Sequence, residues 1–431
     1  MKKQRDRNRT LNGVRAFFSK LGPGLVTGAS DDDPSGIGTY SIAGAQLGYS
    51  PLWTAWFLLP LMAAVQLMCA RLGMVSGRGM AGLLRTRYGP WALWPSCFLL
   101  VVANVVNIGA DLGAMAAAAG MVTGLQPYLF TPLFTGGILA LMACWPYRRI
   151  AQVLKWMTLV LFAYVIAGFR AHPNWGSVLR ATFVPHLEFS ASYLNMFVAI
   201  AGTTISPYLF FWQAAQEVEE DREKGKTTVA ERKGATDAET RDSRVDVMTG
   251  IVFSQLIMYF IILTAAATLN AHGQTNIATT EQAAEALRPF AGDATYLLFT
   301  LGIVGTGMLC VPVLAGSTAF AIAEGAGWSH SLRYRPRQAR AFYGVLTGAL
   351  LLGMAMNYFG LRVVSMLFWS AVINGLLAPP LLVLVVLLSS DPRVMGKRVS
   401  SPTLQIFGWL AAFVMGAAAI AMIVTGWGSG A

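Results

Sequence analysis

Eleven apolar stretches, each about 20 residues long or longer, follow one another along this chain of 431 residues. They run near residues 22–48, 51–76, 91–118, 128–146, 150–170, 191–216, 245–270, 293–325, 338–357, 361–388 and 402–427. A bilayer core about 30 Å thick is crossed by roughly 20 apolar residues of helix, and backbone in lipid must satisfy its own hydrogen bonds, which helices do. The chain is 55% hydrophobic and 12% charged, against about 25% charged for an average soluble domain. The sequence therefore predicts an all-α membrane protein. A single transmembrane domain is expected over 22–427, after a basic amino terminus over 1–21 that carries no cleavage pattern.

The net charge of +11 is placed for a membrane surface rather than for nucleic acid. With eleven helices and a cytoplasmic amino terminus, the basic residues should alternate between rich and poor loops. They do: 27 of the 32 Lys and Arg fall on the expected inner side. Only Arg170, Arg180, Arg288 and Arg362 fall outside, and Arg71 lies within the second helix. The expected location is a bacterial-type inner membrane, with the carboxy terminus outside. The longest inner loop, 217–244, reads as a solvated connector or an extension of the sixth helix, and no obligate protein partner is indicated. Cys69, Cys97, Cys144 and Cys310 sit in apolar segments without CxxC spacing, so they read as small buried hydrophobes rather than disulfides or a cysteine metal site.

Charges and helix breakers at mid-depth carry the chemistry of a membrane protein. The first helix holds Asp31, Asp32 and Asp33, followed by Pro34, Ser35 and Gly36. Facing lipid, three central aspartates would cost on the order of 8–10 kcal/mol, so they must meet water, partners or a cation. Pro34 removes a backbone donor and disfavours helix at Asp33. The helix should break there, leaving free carbonyls beside Asp33 as the direct cation ligand, with Asp31 and Asp32 lining the aqueous approach or bonding to neighbouring helices. The sixth helix carries a matching break over Gly202, Thr203, Thr204, Ile205, Ser206 and Pro207. Two interrupted helices in corresponding halves point to an inverted repeat with the binding site between the breaks.

Asp111 on the third helix reads either as an interhelical hydrogen-bonding group or as part of the ion pathway. Glu324 is expected to reach water at the inner end of the eighth helix. All four histidines fall in expected loops, and neither an HExxH motif nor a phosphate-binding loop occurs. No enzyme and no resident cofactor are indicated; the cation is a substrate.

At these residues the chain resembles the Nramp family, from Gly22 to about Thr425. Asp33-Pro34-Ser35-Gly36 is similar to that family's Asp-Pro-Gly-Asn, and Ile205-Ser206-Pro207-Tyr208 falls where it has Met-Pro-His-Asn. The resemblance implies a LeuT-like fold, a 5+5 inverted repeat plus an eleventh helix, with helices 1 and 6 broken at mid-membrane. It implies metal ligation by the Asp33 carboxylate and the Gly202 carbonyl. Gly36 and Ile205 stand where the family has an amide and a thioether ligand. Of the family's proton relay, Asp111 retains an acid, while Ala114, Pro207 and Trp212 replace ionisable groups. These departures resemble the Nramp-related magnesium transporter branch.

The resulting expectation is a divalent-cation transporter working by alternating access, Mg²⁺ first and Mn²⁺ second, without proton coupling. Oxygen ligands suit both ions, and the small Gly36 leaves room for a cation that keeps its waters. The alternatives are a proton-coupled Mn²⁺/Fe²⁺ Nramp importer, an amino-acid symporter of the same superfold, or a membrane enzyme or scaffold. Competition by amino acids rather than divalent cations would mark the symporter, and absence of flux in liposomes the last.

Overall fold

The computed structural model describes residues 22–145 and 157–428; the basic amino terminus and the start of the fifth apolar stretch lie outside them. The first stretch forms two helices, α1 (Pro23–Asp31) and α2 (Pro34–Leu47). Then come α3 (Trp53–Ser76), α4 (Met80–Arg87), α5 (Pro90–Thr123) and α6 (Pro127–Cys144). The described part of the fifth stretch is a short 3₁₀ turn leading into α7 (Phe162–Arg170), and α8 (Trp175–Phe183) follows. The sixth stretch is again two helices, α9 (Ala191–Thr204) and α10 (Pro207–Glu223). The chain continues through α11 (Asp237–Thr268), α12 (Thr295–Ala326), α13 (Arg340–Met356), α14 (Val363–Ser390) and α15 (Pro402–Gly428).

Among the described residues, eight helical segments are long and apolar enough to cross a membrane. The broken first helix and two shorter apolar helices, Leu159–Arg170 and Arg340–Met356, make up the eleven expected.

Packing repeats between the halves. The first span (α1 and α2) lies against the seventh (α11), and in the second half α10 of the sixth span lies against the second (α3). The third and eighth spans, α5 and α12, pair at the centre. Small residues make the close approaches possible. A β-carbon on Gly28 would lie 2.2 Å from the backbone of Gly250, and one on Gly202 would lie 2.2 Å from the Ala371 carbonyl oxygen and 2.3 Å from the Gly375 nitrogen. These contacts press α1 onto α11 and α9 onto α14. Large apolar side chains such as Phe98, Phe359 and Phe413 stay exposed on the outside, where lipid would cover them.

The start of α1 is capped from elsewhere. Gly22 offers no side chain, and the carboxylate of Asp246 on α11 accepts hydrogen bonds from the N–H groups of Gly22 (2.8 Å), Gly24 (2.6 Å) and Leu25 (3.0 Å).

The segment 217–244 begins with the expected extension of the sixth helix, since α10 runs to Glu223; the rest is less of a connector than expected, with a short helix over Val229–Arg232 and α11 beginning at Asp237. Both new starts carry capping boxes, Thr228 with Glu231 and Thr236 with Glu239, which satisfy otherwise orphaned backbone donors. The cysteines also differ from one another: Cys69, Cys97 and Cys310 are buried, whereas Cys144, near the end of α6, is exposed.

Candidate metal centre

Proline sets both breaks. Pro34 and Pro207 each occupy the first turn of the second half-helix, where a missing N–H costs nothing, while the preceding residue is pushed out of helical geometry. Asp33 accordingly adopts an extended conformation (φ −67°, ψ 168°) and becomes the N-cap of α2. Its Oδ1 accepts from the Gly36 N–H at 2.5 Å. In the sixth span Ile205 leaves the helix (φ −110°, ψ 58°), and Ser206 opens α10.

A second carboxylate meets the same helix start. Oδ1 of Asp111, from α5, accepts from the Ser35 N–H at 3.1 Å. The amino end of α2 thus faces two carboxylates, an arrangement that its exposed N–H groups and dipole favour. Asn107, one turn from Asp111, donates to Oδ2 of Asp33 at 2.8 Å. The Cys310 thiol, from α12, lies 3.8 Å from the same oxygen. Ligand atoms of Asp33, Asp111 and Cys310 all fall within 4.8 Å of one another, and all three residues are buried. Oδ2 of Asp111 and Oδ1 of Asn107 have no hydrogen-bond partner, so two acceptor oxygens stand ready at the edge of the cluster. Tyr208 closes it by donating to the Ser30 carbonyl at 2.8 Å, with Cys310 Sγ 3.6 Å from its hydroxyl.

Asp33 also faces the sixth span. The α-carbon of Gly36 is turned toward three oxygens: a β-carbon there would lie 3.2 Å from the Asp31 carbonyl, 3.2 Å from the Thr203 hydroxyl and 3.3 Å from Oδ1 of Asp33. Whatever stands beside the Gly36 α-carbon therefore meets oxygen on three sides. The Gly202 carbonyl accepts the Ser206 hydroxyl at 2.8 Å, which leaves its second lone pair. Thr204 is turned away toward the Ile200 carbonyl (2.8 Å) and the Tyr40 hydroxyl (3.2 Å). Ile205 is wholly buried hydrocarbon.

Of the two roles expected for Asp31 and Asp32, bonding to a neighbouring helix fits their 0% exposure better than lining water. Ser254 on α11 donates to Asp31 at 2.5 Å and lies 3.4 Å from Asp32. One oxygen of each, Oδ1 of Asp31 and Oδ2 of Asp32, has no partner. Glu324, near the end of α12, is 8% exposed; its carboxylate accepts from the Gly82 N–H at 3.0 Å and also borders an open cavity.

Sequence reasoning passed over Cys310 and Asn107 as members of the cluster. The polar run Asn104, Asn107 and Asp111 did signal that one face of α5 points inward, since spacings of three and four residues share a helix face. Nothing in the sequence distinguishes Cys310 from a packing cysteine.

Two helices broken at facing points, buried carboxylates beside the first break and halves that repeat their packing define a membrane transporter that seats a cation within the bilayer. Residues 24–425 match the profile of the family described as Nramp, natural resistance-associated macrophage protein-like, and the chain belongs to that family. The divalent metal cation transporter MntH of Deinococcus radiodurans is 28% identical over 414 residues, covering 94% of this chain and 89% of the relative. Among solved structures, the Eremococcus coleocola manganese transporter bound to an aromatic bis-isothiourea compound superposes with a TM-score of 0.74 at 16% identity, covering 97% and 89% of the two chains. MhsT in complex with L-phenylalanine superposes with a TM-score of 0.58 at 13% identity, covering 94% and 98%, which places the fold in the LeuT-like class. The protein is thus an integral membrane transporter of divalent metal cations, and not an enzyme.

Proposed function

We propose that this chain carries Mn²⁺ and similar transition-metal cations, seated among Asp33, Asp111, Asn107 and Cys310, with alternating access through the breaks at Asp33 and Ile205. The observation that carries the reading is the convergence of two carboxylates and a thiol within 4.8 Å in a buried setting. Carboxylate and amide oxygens suit Mn²⁺, and a sulfur ligand rewards transition metals while offering little to Mg²⁺. The names of the relatives favour the same ions: one is called a divalent metal cation transporter, and the solved neighbour a manganese transporter. The expectation of Mg²⁺ first, drawn from the absent thioether and amide, takes second place. What still favours it is the all-oxygen surround of Gly36.

Asp31 and Asp32 are sealed from water beside this cluster, each with an unpartnered oxygen. They provide groups that can carry protons alongside the metal, so proton coupling is the reading adopted in place of the expected uncoupled transport. A cavity of about 130 Å³ opens beside Pro23, at the start of the broken first span, with Glu217, Glu220 and Asp246 in its wall. Carboxylates in such a mouth concentrate cations.

The test is competitive uptake into liposomes. Mn²⁺ and Cd²⁺ are expected to displace each other at concentrations where Mg²⁺ does not, and Cys310→Ser should weaken Cd²⁺ about tenfold while leaving Mg²⁺ unchanged, as loss of a soft ligand requires. Wild-type uptake that prefers Mg²⁺ over both ions would refute the assignment.

A further inference from the structure

α10 extends past the membrane-embedded break and separates two cavities of opposite character. On the α1 side lies the acidic cavity described above. On the other side, bounded by α4, α10, the helix Val229–Arg232 and the end of α12, lies a larger cavity of about 420 Å³. This volume falls within the range of small-molecule sites, about 300–1,000 Å³.

Four arginines from separate segments converge on it: Arg78, Arg85, Arg222 and Arg232. Their charges are poorly offset. Arg222 is paired with Glu219 at 2.5 Å. Arg232 is buried, and its guanidinium donates only to carbonyls, of Gly77 (3.3 Å), Lys226 (3.2 Å) and Thr227 (2.6 Å). Arg78 and Arg85 are exposed, and no described residue accepts a hydrogen bond from either side chain or pairs with it. The one acid in the wall, Glu324, is already engaged, capping α4 through the Gly82 N–H at 3.0 Å and lying 3.7 Å from His330. Much of the remaining wall is hydrocarbon from Val218, Val229 and Trp328.

Uncompensated guanidinium groups around a concavity attract anions, and their planar fork matches phosphate oxygens two at a time. The apolar wall asks for more than inorganic phosphate. We propose that this cavity binds a phosphate-bearing organic anion, its phosphoryl group held by Arg78 and Arg85 and its apolar remainder against Trp328. The ligand then bridges α4, α10 and the end of α12. Because α10 begins at the broken part of the sixth span, such a bridge restrains a moving element, and occupancy slows transport. The binding site stands whichever cation is carried.

A nucleotide and a lipid headgroup share this chemistry, and two arms separate them. In the first, the purified full chain in detergent is titrated calorimetrically with ATP and with pyrophosphate at low and moderate salt. In the second, the protein is held in nanodiscs of phosphatidylcholine with or without phosphatidylglycerol, and retained lipid is read by native mass spectrometry. One arm should show a single, salt-sensitive ligand whose binding falls at least tenfold in Arg78→Ala with Arg85→Ala. Cation uptake into liposomes should slow at least threefold with that ligand present in wild type and stay unchanged in the double variant. The paired Gln variant replaces the Ala variant if the latter elutes as aggregate. Failure of both arms, or binding that survives loss of both arginines, overturns the site. Binding without slower uptake overturns the regulatory half.

Discussion

Asp33→Asn separates the charge of this residue from its structural duties. Asn is as good an N-cap as Asp, so its side-chain oxygen can keep the 2.5 Å bond from the Gly36 N–H. Its amide then faces the Asn107 amide, which now donates to Asp33 at 2.8 Å. Asn107 can turn over and offer its unpartnered Oδ1, restoring the bond. The fold should therefore lose less than about 1 kcal/mol. Asp33→Ala differs: it removes the cap, worth about 0.5–2 kcal/mol, and strands the buried Asn107 amide, worth about 1–3 kcal/mol. Any loss of transport in the alanine variant thus mixes misfolding with chemistry. For metal affinity, losing an outer-shell partner already costs about 10–100-fold, so loss of a direct charged ligand should exceed about 100-fold, or about 2.8 kcal/mol. The assay is calorimetric Mn²⁺ binding to purified protein, paired with liposome uptake and a thermal-unfolding control. A well-folded Asp33→Asn protein that binds Mn²⁺ within threefold of wild type would refute the assignment of Asp33 as a ligand.

Further expectations are independent of that experiment. Gly202→Val should abolish stable expression or uptake, because its β-carbon would sit 2.2 Å from the Ala371 carbonyl oxygen and 2.3 Å from the Gly375 nitrogen; normal expression with normal uptake would show that α9 and α14 part easily. Liposomes loaded with a pH dye should acidify in proportion to Mn²⁺ uptake, and the double change Asp31→Asn with Asp32→Asn should reduce the proton flux per metal ion. Uptake with no acidification would restore the uncoupled reading. Reporter fusions should place the amino terminus in the cytoplasm and Ala431 on the opposite side, as the 27 inner basic residues require; a carboxy-terminal reporter active only in the cytoplasm refutes that topology. The Arg87 guanidinium beside Asp391 holds that carboxyl below the usual range for aspartate. Its contribution to stability is therefore complete above the ordinary aspartate pKa and fades as pH falls through the lower, folded value, so Asp391→Asn should flatten the acid limb of a thermal-unfolding profile.

The two breaks were legible because proline acts on its immediate neighbours, and Asp33-Pro34 and Ser206-Pro207 announce their geometry within a few residues. The pairing of α5 and α12 with α2 is different in kind. Whether Cys310 packs or ligates depends on which face of α12 meets Asp33, and that rotation is fixed by contacts spread over the whole bundle. The distinction between Asp31 and Asp32 was hidden for the same reason, since Ser254 lies more than 220 positions away. The helices inside 217–244 were missed although their signals were local. Thr228-x-x-Glu231 and Thr236-x-x-Glu239 are capping boxes, and the polar composition around them drew the reading toward a connector.

The carboxylate that fastens the first turn of α1 belongs to another helix. A cap drawn from the residues of α1 itself would travel with it; Asp246 stays behind on α11. α1 can leave its neighbour only by giving up three hydrogen bonds at one end. That end borders the acidic cavity lined by Pro23 and Asp246, where water can replace each bond as it breaks. One turn deeper, the contact of Gly28 with Gly250 is backbone against backbone, with no polar bond for water to take over. The joint therefore behaves as a wet hook on a dry seam: the hook releases readily, and the seam then determines how far the parting runs. Changes at Asp246 alter how often α1 lets go, while the buried carboxylates beyond it keep the same grip on what they hold.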